Sequence, residues 1–96
     1  MLKKKFFKTK DEVEITFVFD ANGAKSVELV TEINGWEPIE MAKSKGAFRT
    51  KLRAPKGGEY QFRYRVDGAE WQNDEAADAY VPNGIDGDNS IVKTHA

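Results

Sequence analysis

The sequence predicts an all-β fold, an antiparallel sandwich or small barrel, on three observations. Apolar and polar residues alternate with a period of two in several runs. Glycine-bearing turn pairs separate these runs about every ten to twelve residues. No segment carries a helical period. An opening strand falls over Lys4 to Lys8, around Phe6 and Phe7. The next places Val13, Ile15, Phe17 and Phe19 on one face, with Glu12, Glu14 and Thr16 on the other. Ser26 to Ile33 sets Val27, Leu29 and Ile33 at strand spacing, and Phe48, Thr50 and Leu52 give another strand. The cleanest run interleaves Tyr60, Phe62, Tyr64 and Val66 with Gln61, Arg63, Arg65 and Asp67. Trp71 follows the Asp67-Gly68 turn on a short returning strand. Glu70 to Tyr80 is the best place for a helical turn, but its alanines and acids alternate poorly and Pro82 closes it, so it reads as a long loop. Ile91 and Val92 end the chain's strand pattern. Turns fall at Asn22-Gly23, Asn34-Gly35, Lys45-Gly46, Gly57-Gly58, Asp67-Gly68, Asn83-Gly84 and Asp86-Gly87.

Ninety-six residues allow one domain, spanning 1–96, because halving them leaves too little apolar surface to offset chain entropy. Fifteen Lys and Arg against 16 Asp and Glu give a net charge of −1, without the overall positive field of nucleic-acid binders, so no nucleic-acid partner is expected. The absence of cysteine removes disulfides, thiolate metal sites and thiol catalysis. The opening Met-Leu-Lys-Lys-Lys has the charge of an export signal, but Lys8, Lys10, Asp11 and Glu12 interrupt the apolar stretch such a signal needs. No run approaches the length of a membrane span, so a soluble, cytoplasmic protein is expected.

Catalytic chemistry has few places to sit. The single histidine, His95, lies at a chain end, where a catalytic group is hard to hold in register. Asp74, Glu75 and Asp78 cluster, but glycoside hydrolysis needs a cleft around the scissile bond, which so small a domain seldom builds. Asp86-Gly87-Asp88-Asn89 resembles part of a calcium loop without its twelve-residue spacing or terminal Glu, and reads as an acidic turn. Lys3, Lys4 and Lys5 make a basic start. Arg63 and Arg65 alternate with Tyr60, Phe62 and Tyr64, which puts charge and aromatic rings on opposite faces, whereas a stacking platform for single strands needs them together. The expectation is a protein that is no enzyme, with no catalytic residue, metal or cofactor.

The tryptophans say more. Trp36 sits in the turn-rich Ile33-Asn34-Gly35-Trp36-Glu37-Pro38, where an indole is hard to bury, and Trp71 lies beside the aromatic run of 60 to 66. The competing reading for each is a ring that closes one end of the core. If both are exposed, they form an apolar platform edged by Arg63, Gln61 and Asn89. Such a surface suits a sugar, whose C–H face lies on an aromatic ring while its hydroxyls hydrogen-bond at the rim.

Ser26 to Val92, about two thirds of the chain, resembles carbohydrate-binding module family 48. That family includes the glycogen-binding domain of AMP-activated protein kinase β subunits and the N-terminal domains of isoamylases and branching enzymes. The matching pieces are Val27-Glu28-Leu29, Asn34-Gly35-Trp36, Phe48 to Leu52, Gly58 to Gly68, Trp71, and Asn89-Ser90-Ile91-Val92. The resemblance implies an immunoglobulin-like β-sandwich that binds α-1,4-linked glucan. It assigns sugar stacking to Trp36 and Trp71, hydroxyl contacts to Arg63 and Asn89, and an apolar prop to Ile85. Thr31, Ile33, Glu75 and Gly87 depart from the family's residues. The expected function is non-catalytic binding of glycogen, starch or a maltooligosaccharide by Trp36, Trp71, Arg63, Asn89, Ile85 and Gln61. The alternative is a protein-interaction or dimerisation module that docks onto a glucan-metabolising enzyme without binding sugar. Expected partners are an α-glucan and a glycogen or starch enzyme in trans, with no membrane, the protein being a monomer or weak homodimer.

Overall fold

A computed structural model describes residues 1–20, 23–85 and 87–95. Its strands, in chain order, are β1 (Leu2–Phe6), β2 (Glu12–Asp20), β3 (Val27–Thr31), β4 (Ile39–Glu40), β5 (Ala42–Ser44), β6 (Ala47–Pro55), β7 (Glu59–Val66), β8 (Glu70–Gln72), β9 (Ala79–Pro82) and β10 (Asp88–Lys93). One sheet runs β1-β2-β6-β5. The other runs β4-β3-β7-β10-β9, with β8 also paired to β7. Every pairing is antiparallel, and the two sheets pack as an immunoglobulin-like β-sandwich.

The alternation read from the sequence is the cause of the packing. On β2, Val13, Ile15 and Phe17 are fully buried and Phe19 packs against them; on β7, Phe62, Tyr64 and Val66 face the same core. Phe17 meets Phe62 edge-on at 5.1 Å between centroids, and Phe62 meets Tyr64 edge-on at 5.7 Å. Lys45 and Gly46, both with positive φ (52° and 79°), make the two-residue turn between β5 and β6, the twist that a tight hairpin requires.

The structure differs from the expectations at the short elements. The opening strand is Leu2–Phe6, earlier than Lys4 to Lys8, because its ladder runs from Leu2 opposite Phe17 to Phe6 opposite Val13. Leu2 thereby packs against the core. Ile33 belongs to no strand: Glu32–Asn34 is a 3₁₀ turn, started by the Thr31 hydroxyl, which accepts the Ile33 N–H at 3.3 Å. Glu70 to Tyr80 is not one loop, since β8 opens it and β9 begins at Ala79. Asn22 of the first expected turn, and Asp86 of the last turn and of the calcium-like fragment, lie outside the described residues.

Candidate functional site: an aromatic depression on one sheet

With the aromatic residues of β7 turned inward, Gln61, Arg63 and Arg65 must point outward. Cross-strand register extends this outer face: Val30 lies opposite Arg63, Trp71 opposite Arg65, and Ile91 opposite Gln61. Trp71 therefore joins the arginines, away from the core. Arg63 Cζ lies 5.2 Å and Arg65 Cζ 5.7 Å from the centroid of its ring, within reach of cation–π attraction. Arg65 also clasps Glu28, with Nε at 2.8 Å and Nη2 at 2.6 Å from Oε1.

Two anchors hold the Trp71 strand. At its start, the Asp67 carboxylate accepts the N–H groups of Lys25 (2.8 Å) and Ser26 (2.9 Å), tying the β7–β8 turn to the approach of β3. The Ser26 and Lys25 bonds hold that carboxyl below the usual carboxylate range, reinforced by the charge of Lys25. Beyond its end, the buried Asp74 accepts the Tyr64 hydroxyl at 2.8 Å and the N-terminal ammonium of Met1, while its own N–H donates to Ser90 Oγ at 3.0 Å. Burial first, and the negative charge of Asp74 second, push the Tyr64 hydroxyl far above its ordinary pKa, so it remains a donor.

Trp36 is placed by a different device. Gly35 adopts a left-handed conformation (φ 76°) and its N–H donates to Glu32 O at 3.1 Å, closing the 3₁₀ turn. Trp36 follows with φ 69°, its N–H donating to Thr31 O at 2.8 Å, and Asn34 Nδ2 bonds Glu37 O at 3.0 Å beyond it. The indole leaves the chain toward the outer face with 42% of its surface exposed; Trp71 has 41% exposed.

Five of the six residues singled out from the sequence, Trp36, Trp71, Arg63, Ile85 and Asn89, line one open depression of about 230 Å³. Ile85 is 93% exposed, on the loop between β9 and β10. Asn89 is only 8% exposed and is occupied within the protein: its Oδ1 accepts from Asn83 Nδ2 at 3.2 Å and its Nδ2 donates to Gln61 Oε1 at 2.9 Å. Gln61, the sixth residue, is not part of the lining and meets the site through Asn89. Val30 and Asn83 complete the wall. Sequence reasoning missed both: Asn83 was read as a turn residue, and Val30, within the run from Ser26 to Ile33, was not singled out.

The other candidate groups do not assemble. Asp78 pairs with Lys4 Nζ and accepts the Lys93 N–H at 2.7 Å, while Asp74 is sealed as above. A second hollow of about 190 Å³, between Met1, Val18–Asp20 and residues 72–76, includes that sealed carboxylate among its walls. The Met1 ammonium and the Asp74 carboxylate there already bond each other. His95 is exposed at the chain end. Among the described residues, no three His, Asp or Glu side chains converge as a metal site requires, and no helix is long and apolar enough to cross a membrane.

Fold and site together define an immunoglobulin-like sandwich that presents two exposed indoles, flanked by arginine, on the outer face of one sheet. Compared with known proteins, the sequence matches no family model and no curated protein.

Proposed function

We propose that this protein is a non-catalytic module that binds α-1,4-linked glucan, such as glycogen, starch or a maltooligosaccharide, by stacking sugar rings on Trp36 and Trp71. The observation that carries this reading is the pair of indoles, each with about two fifths of its surface open, in one depression. An indole face and a sugar C–H face are both apolar, so contact removes water from each, while N–H groups at the edge meet hydroxyls. Arg63 lies at that edge and Ile85 extends the apolar rim. Two stacked rings and a few exposed hydrogen bonds set the dissociation constant on the order of micromolar to millimolar.

Titration of maltoheptaose followed by tryptophan fluorescence tests the proposal. Saturable change is expected in the parent protein, with loss in Trp36→Ala and Trp71→Ala; a spectrum that stays constant at high sugar refutes it. The full exposure of Ile85 favours a second reading, in which the same patch docks onto a glucan-metabolising enzyme or a second copy of the chain. In that case Trp36→Ala alters elution volume or co-purifying partners and leaves amylose retention unchanged.

A further inference from the structure

Register places four outward side chains in one row across four strands: Glu40 of β4 lies opposite Glu28 of β3, Glu28 opposite Arg65 of β7, and Arg65 opposite Trp71 of β8. Side chains directly opposite on one face are near enough to touch. Contact runs along the last three. Nε and Nη2 of Arg65 both donate to Glu28 Oε1, at 2.8 Å and 2.6 Å, so the guanidinium is held by its fork, and its Cζ lies 5.7 Å from the centroid of the Trp71 ring. Both members of the ion pair are half-buried, and water competes less for the fork than on an open surface. On its other side Glu28 meets a like charge in Glu40, which favours the turn of its carboxylate toward Arg65.

Trp71 needs such a hold. β8 has three residues, all exposed, and the indole is open over two fifths of its surface, so little packing restrains its side-chain torsions. A ring free to turn must be immobilised when a sugar stacks on it, and that cost lowers affinity. A guanidinium locked in place attracts the ring and narrows its range before any ligand arrives. Trp71 lines the depression whereas Arg65 and Glu28 do not, so this hold takes up none of the space that a sugar ring would fill. Arg63, which also lies over the ring, is by contrast itself a wall of the depression. We infer, on the basis of the glucan reading above, that Glu28 is a positioning residue: it fixes Arg65, which presets the Trp71 indole for stacking, and it does not itself touch the saccharide.

The experiment uses the full chain and maltoheptaose. Glu28→Gln keeps the size of the side chain and removes its charge, which weakens the fork and loosens the ring. Affinity is expected to fall about threefold to tenfold, the effect of one more side chain to immobilise on binding. In ¹⁵N relaxation the indole N–H of Trp71 is expected to become more mobile in this variant, while that of Trp36 is unchanged. Glu40→Gln removes a carboxylate from the same row without touching the fork, and is expected to bind within about twofold of the parent. Arg65→Met is expected to show the same loss as Glu28→Gln, and it decides the matter if Glu28→Gln fails to fold. Combining the two should lower affinity no further than Arg65→Met alone, because the residue through which Glu28 acts is gone. Parent-like affinity in Glu28→Gln, an equal loss in Glu40→Gln, or a Trp71 indole of unchanged mobility overturns the inference while the glucan reading stands. No binding by the parent overturns the glucan reading and this inference with it.

Discussion

Trp36 holds a left-handed backbone, φ 69°, directly after left-handed Gly35. A residue with a Cβ in that region costs about 1–3 kcal/mol, and such strain persists where the surroundings over-determine it. Replacing Trp36 by Gly or by Ala removes the same indole, but only the glycine relieves the backbone. Trp36→Gly is therefore expected to be more stable than Trp36→Ala by about 1 kcal/mol in urea denaturation, the reverse of the order in a strand interior. Equal stabilities would mean that the turn relaxes on losing the ring. The surface position of Trp36 was legible from Asn34-Gly35, because those residues mark a turn and turns run on the outside. Which way the ring points was not, because that depends on the Trp36 N–H reaching Thr31 O, a bond between one turn and the strand before it. Asn89 shows the same limit: its place at the rim of the tryptophan platform was anticipated, while its engagement by Asn83 and Gln61 depends on three segments meeting.

The 3₁₀ turn at Glu32–Asn34 connects the core to the site. Thr31 is fully buried; its hydroxyl donates to Gln61 O at 2.8 Å and accepts the Ile33 N–H, while Glu32 Oε1 accepts the Gln61 N–H at 3.0 Å. Thr31→Val keeps the shape and removes both hydroxyl bonds, leaving the Gln61 carbonyl short of a partner. A loss of about 1–3 kcal/mol in unfolding free energy is expected, measured by urea melts, and a change within error would deny the turn this role. The strands themselves were legible to the degree that both faces had contrasting surroundings. β2 and β7 separate core from solvent at every step, so period two is written into them. β8 is exposed at all three positions, so only the Asp67-Gly68 turn before it announced a returning strand at Trp71; β4 and β5 have two and three residues, and burial leaves no pattern there to read. Pairing with β7 makes β8 a strand, and pairing is a property of two segments.

Stability against pH follows from groups already described. Asp67 is held below the usual carboxylate range by its two backbone N–H bonds. Burial works to raise Asp78, but the Lys4 bond, the Lys93 N–H and both lysine charges outweigh it and hold that carboxyl low. In both, the unfolded chain takes up a proton first as the pH falls. Their contribution is thus complete above about pH 4 and is lost as acidification passes the lower folded values. Tyr64 is shifted upward, so its contribution is present below about pH 10 and declines above it, where the unfolded phenol ionises first. Melting temperature against pH should show both limbs, with the acid one flattened in an Asp67→Asn, Asp78→Asn double variant. Sugar binding should ignore salt: since the proposed contacts pair no charges with the ligand, maltoheptaose affinity is expected to change less than about twofold between about 50 and about 500 mM NaCl. A steep fall would indicate an anionic ligand instead.

The charges themselves are unevenly divided. Alternation puts Lys3 and Lys5 of β1 and Arg49, Lys51 and Arg53 of β6 on the outer face of the first sheet, against Glu12, Glu14 and Asp20 of β2. Ten cations and thirteen acids are left for the remainder of the chain. The cationic face and the indoles lie on opposite sides of the sandwich. A nominally acidic protein of this kind is expected to adhere to a sulfonated resin at neutral pH by its basic side, leaving the tryptophans turned toward the mobile phase. Bead-bound molecules are thereby expected to be oriented alike, with both indoles open to the solution and no chemical coupling needed.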